Sequence, residues 1–158
     1  MKKTILVILT LITVILSCEK DDFCVTNPVT PNLVILFYDA NEDDEPLEVD
    51  SLYVWAEGKD SIYDFDETNT TIDSIAIPLN TESTSTTYYF AQGLEKIDTL
   101  TVEYTTEDEY VSRSCGFKVI FNDVVITKEN TESWIQFIDP EDIETIDNQE
   151  EAHVKIYH

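Results

Sequence analysis

The sequence predicts an all-β fold: an antiparallel β-sandwich, immunoglobulin-like or related, of about eight to nine strands. Three observations carry this. Valine, isoleucine, threonine, tyrosine and phenylalanine gather in short runs, and several runs alternate in period two. Polar punctuation also separates them every ~10–15 residues. No window carries a convincing 3.6-residue stripe, and only 140-PEDIETI-146 offers one or two helical turns. A barrel fits less well, because 3 glycines are few for shaping its corners.

The elements follow in order. Val25 to Pro31 holds two prolines and reads as an extended linker, after which 33-LVILFYD-39 is the first strand. In 49-VDSLYVWAE-57, Leu52 and Val54 share one face while Tyr53 and Trp55 share the other. That leaves an aromatic pair available as an outward platform for a glycan or peptide, although most sandwich aromatics are core. Runs 72-IDSIAIPL-79 and 86-TTYYFAQ-92 come next. In 97-IDTLTVEYT-105, Asp98, Leu100, Val102 and Tyr104 face one way and Ile97, Thr99, Thr101 and Glu103 the other. The runs 117-FKVIFND-123, 124-VVIT-127, 133-SWIQFID-139 and 152-AHVKIY-157 complete the set.

The N-terminus divides the chain. Lys2 and Lys3 precede an apolar run, Ile5 to Leu16, too short for a membrane-spanning helix and suited to a signal peptide. It closes Ile15-Leu16-Ser17-Cys18, which resembles a bacterial lipobox; the alternative is an ordinary secretory signal. The organisation expected is a signal peptide over 1–17, an acylated Cys18 with a tether over 18–31, and a sandwich domain over 32–158. Acyl chains would anchor the protein to the outer membrane. Glu19-Lys20-Asp21-Asp22 resembles the surface-export signal of Bacteroidota lipoproteins, which points to the cell surface; a plain solvated linker would leave the protein facing the periplasm.

Without Lys2 and Lys3, the 9 basic residues fall to seven against 33 acidic ones, a formal charge of −26. That field repels phosphates, so nucleic acid is excluded as a partner and an envelope protein or glycan is favoured. The 42% hydrophobic content still argues for a folded core rather than disorder. With Cys18 acylated, Cys24 and Cys115 remain as an even pair in an oxidising compartment, which favours a disulfide over two buried thiols.

Two motifs invite a site. Asp50-Ser51-Leu52, Asp60-Ser61-Ile62, Asp73-Ser74-Ile75 and Asp98-Thr99-Leu100 share the pattern acid, hydroxyl, aliphatic. It resembles the O-glycosylation acceptor of exported Bacteroidota proteins, which implies Ser51, Ser61, Ser74 and Thr99 as acceptors. Strand entries produce the same pattern without modification. In 39-DANEDDEPLEVD-50, residues Asp39, Asn41, Asp43, Glu45 and Asp50 fall at the oxygen-ligand spacing of a calcium loop. Against Ca2+, Asp44 replaces the turn glycine, Asp50 is short for a bidentate ligand, and strands flank the loop. A solvated hairpin is the stronger reading.

Catalysis is not expected. The two histidines, His153 and His158, lie at the C-terminal end, and a Cys115/His153 pair would lose its thiol to the disulfide. No Cys or His spacing indicates zinc, and the carboxylates are too many for any pair to point to glycoside hydrolysis. The segment 110-YVSRSCGFKVIFND-123 holds Arg113, the only arginine. With Cys24, Thr30-Pro31 ahead of the first strand and the lipobox, its Ser-Arg-x-Cys-Gly run is similar to that of a family of small, uncharacterised Bacteroidota lipoproteins. The resemblance implies a β-rich exported domain and no known activity.

Overall fold

The structure, a computed structural model, describes Cys24 and residues 29–42, 45–59, 61–63 (backbone alone), 71–93, 96–129 and 134–158. Two compact units emerge. Of the smaller, Cys24 and Tyr110–Phe117 are described; the larger comprises Val29–Glu109 and Lys118–His158.

The described residues form twelve strands and no helix. They are β1 (Leu33–Tyr38), β2 (Val49–Asp50), β3 (Leu52–Ala56), β4 (Ser61–Tyr63), β5 (Thr71–Ile72) and β6 (Ser74–Ile77). The second half supplies β7 (Ser85–Gln92), β8 (Lys96–Ser112), β9 (Gly116–Lys128), β10 (Phe137–Asp139), β11 (Asp142–Ile146) and β12 (Val154–Tyr157). One sheet runs β10-β12-β1-β6, a second β11-β9-β8-β7-β3-β4, and β2 with β5 makes a two-stranded ribbon. β1 lies parallel to β12, with Ile35 opposite Val154, while β6 and β10 join antiparallel.

Period-two alternation builds the interior. On β1, Leu33, Ile35 and Phe37 are buried and the residues between them half-buried; on β8 the buried row is Asp98, Leu100, Val102 and Tyr104, one of the two faces the alternation separates. Leu33, Ile35, Ile77, Val154 and Ile156 of one sheet line a void of only about 10 Å³ together with Tyr88, Phe90, Leu100, Val102 and Ile126 of the other. The two inward faces therefore pack as a sandwich with almost no empty space. Each such side chain contributes about 1.5–3 kcal/mol by leaving water.

Several boundaries differ from expectation. The strand number exceeds eight or nine because β4 and β11 are additional strands, Asp73 parts β5 from β6, and Ser51, at φ 54°, breaks the 49–57 run into β2 and β3. The turn lets both Val49 and Leu52, three residues apart, face inward. The runs 117–123 and 124–127 are instead one strand, β9. Asp123 sits at φ 52° inside it, and the inward row Val119, Phe121 resumes at Val124, Ile126. One inserted residue thus preserves the buried side, as a β-bulge does. Residues 140–146 are not helical: β11 pairs antiparallel with β9, Asp142 opposite Val125 and Ile146 opposite Phe121. A free edge of β9 outweighs a weak local preference.

Candidate functional site

Among the described residues, an acid and a lysine meet in the interior. Asp98 is fully buried; one carboxylate oxygen accepts the Ile135 N–H at 3.0 Å and the other lies 3.8 Å from Lys128 Nζ. Lys128 also donates to the Ile135 carbonyl. Trp134 donates its indole N–H to the Phe90 carbonyl at 3.1 Å and packs against Phe37 and His158. This cluster pins the 134–135 segment onto β8 and β9. It is structural: its polar groups are spent on one another, as burial requires.

Hydrogen bonds tie together the described residues of the acidic loop. Asp39 accepts from the Asn41 backbone N–H at 2.7 Å and from its side-chain amide at 3.1 Å. Those bonds hold the Asp39 carboxyl below its usual range, with a smaller contribution from nearby His158. The Glu45 carbonyl accepts the Asp39 N–H, closing the turn, and Asp50 sits in β2 opposite Thr71. Asp43 lies outside the described residues. Among the described residues no group of three or more His, Cys, Asp or Glu could hold a metal.

The hydroxyl motifs fall in unlike places. Ser51 occupies the β2–β3 turn, and its carbonyl accepts the Gly93 N–H. Ser74 donates to the neighbouring Asp73 carboxylate at 2.8 Å. Thr99 lies on the outward side of β8, whereas its Asp98 is the buried acid of the core. The Ser61 side chain lies outside the described residues.

His153 is engaged on both sides. Its Nδ1 accepts the Val34 N–H at 2.9 Å, so the proton resides on Nε2, which lies 2.9 Å from the Asn148 carbonyl. Burial lowers its pKa, against opposing effects of that carbonyl and of Asp147. Cys115 is bonded to Cys24, S–S 2.02 Å. Neither partner of the Cys115/His153 arrangement retains a free reactive atom.

Among the described residues of the larger unit, two outward aromatic groups stand out. Tyr53 and Trp55 are half-buried on β3, alternating with buried Leu52 and Val54. Trp55 stacks on Tyr89 of β7, centroids 5.4 Å apart. The second group was not apparent from the sequence. Phe137, Tyr157 and Tyr38 stand side by side across β10, β12 and β1. Phe137 stacks on Tyr157 at 4.2 Å, Tyr38 lies 5.7 Å from Tyr157, and Lys155 Nζ sits 4.6 Å over the Tyr38 ring. Phe137 and Tyr157, with Asp39, Glu42, Asp139 and Lys155, line a surface recess of about 470 Å³. An exposed ring beside carboxylates and an amine offers an apolar stacking face with hydrogen-bonding groups at its rim. Single aromatics at 137 and 157 carry no signal until sheet order makes them neighbours.

The smaller unit holds the bridge. Ser112 Oγ accepts the Cys115 N–H at 3.0 Å and lies 3.2 Å from Ser114 Oγ, while Gly116 at φ 75° turns the chain into β9. Tyr110 and Phe117 meet edge to face at 5.4 Å and stay 57% and 65% exposed. Arg113 is exposed as well.

No curated protein and no solved structure matches this chain. A family model matches residues 51–158, which include the Ser112–Gly116 segment but neither Cys18 nor Cys24. By that match, over about two-thirds of its length, the chain belongs to the family of unknown function DUF6452.

Proposed function

We propose that this protein is a lipid-anchored, non-catalytic interaction module of a bacterial outer membrane, tethered through acyl chains on Cys18 and exposed at the cell surface. The observation that carries the reading is the cysteine pairing. Of 3 cysteines, Cys24 and Cys115 are joined. The one left over is the one that closes the apolar run 5–16, where a lipobox would require it. A disulfide also fits an oxidising compartment outside the cytosol. Mass spectrometry of the protein extracted from membranes tests this. The reading expects an N-terminal peptide beginning at Cys18 and carrying a diacylglycerol thioether. An intact Met1, or Cys18 with a bare thiol, would refute it.

The Phe137–Tyr157–Tyr38 row favours a second reading, in which the module recognises a glycan. A sugar ring would lie on Phe137 while Asp139, Glu42 and Lys155 bond its hydroxyls. Calorimetric titration with envelope polysaccharides should then give binding that Phe137→Ala abolishes; equal binding by that variant would remove the row from consideration.

A further inference from the structure

The small unit joins three features: the disulfide, the exposed Tyr110/Phe117 pair and the exposed Arg113. Cys24 follows Cys18 by six residues in sequence, so covalent geometry allows at most about 20 Å between their Cα atoms. The bridge then sets Cys115 only 4.9 Å, Cα to Cα, from Cys24. Whatever holds Cys18 therefore also holds the segment 110–117 close by.

We infer that the 110–117 tip is a second membrane contact: Tyr110 and Phe117 enter the headgroup boundary of the bilayer and Arg113 meets lipid phosphate. The inference rests on acylation of Cys18. The occupant follows from the tether's length and from chemistry. Amphipathic tyrosine and apolar phenylalanine settle at the boundary between water and acyl chains, and arginine pairs with phosphate oxygens. Tyr110 to Phe117 contains no carboxylate, in a chain with 33 acids. Among the described residues no ion pair engages Arg113. A protein this acidic is repelled from anionic lipid, so the tip engages only because the acyl tether raises its local concentration at the surface. The disulfide makes that tether short.

The test uses the full-length lipidated protein in vesicles of phosphatidylethanolamine and phosphatidylcholine, with and without dibrominated acyl chains. Phe117→Trp adds one indole to the native Trp55 and Trp134; Tyr110→Trp serves if the first variant misfolds. Over the wild-type signal, the added emission should be blue-shifted and lose roughly half its intensity to bromine, as expected of a ring about 5–10 Å into the interface. Adding Cys24→Ser and Cys115→Ser should abolish the quenching while the protein stays on the vesicles. Unquenched, water-like emission from protein whose mass shows the lipid overturns the tip contact and leaves the anchor standing. A mass without lipid overturns the anchor and the tip contact with it.

Discussion

Asp98 and Asp139 each stand beside a lysine on a neighbouring segment, and the fold treats the two pairs oppositely. Asp98 and Lys128 face the core, where the carboxylate is wholly buried and also holds the Ile135 N–H. Asp139 and Lys155 stand opposite one another on β10 and β12, with Asp139 exposed at the rim of the aromatic recess. In the interior, removing one charge strands the other away from water. At the recess, water replaces whatever a partner loses, so removing one of the two groups costs little. An acidic coat of this density says little about function; where an acid is aimed decides it.

The largest effect should come from breaking the interior pair. Asp98→Ala leaves the Ile135 N–H without its acceptor and Lys128 without its counter-charge, and should destabilise by about 3–5 kcal/mol in urea unfolding. Asp139→Ala should cost less than about 0.5 kcal/mol. Equal costs would erase the distinction between the two pairs.

Next comes the bridge, which closes a loop of 91 residues. Cys24→Ser with Cys115→Ser should lower stability by about 2–4 kcal/mol through the freed unfolded chain, with the slope of urea dependence reporting a less compact unfolded state. An unchanged midpoint would show that the interior alone holds the fold.

A smaller effect belongs to His153. Its folded pKa lies below the unfolded value near 6.5, so the unfolded chain binds the extra proton first. Stability should be full above the unfolded pKa and decline as pH falls from there through the folded one. Carboxylate losses belong to lower pH. His153→Gln should flatten the midpoint's dependence on pH in that window; an undiminished slope would assign it to another group.

The fold class was legible because period two is written plainly in Leu33–Tyr38 and in Asp98–Tyr104, whose alternation sorts buried from outward residues. Breaks in that period were harder. Ser51 and Asp123 adopt left-handed backbone that neither residue type demands, and each resets the phase so that apolar residues at odd spacing still reach the core. β11 gains its strand character from β9, a partner the local sequence does not name. Sites fared likewise. Tyr53 and Trp55 could be paired on one strand, but Phe137, Tyr157 and Tyr38 come from three strands spread over 120 positions of sequence. Their adjacency depends on strand order, which propensity does not encode. Asp98 sat in full view within a repeated motif, yet its burial needed Lys128 and Ile135 brought from beyond β8.

Labelling the producing cells with an alkyne-bearing fatty acid tests the central claim most directly. The wild-type chain should carry the label, Cys24→Ser should keep it, and Cys18→Ser should lose it and leave the membrane fraction. Label retained by Cys18→Ser, or absent from the wild-type chain, would contradict the account.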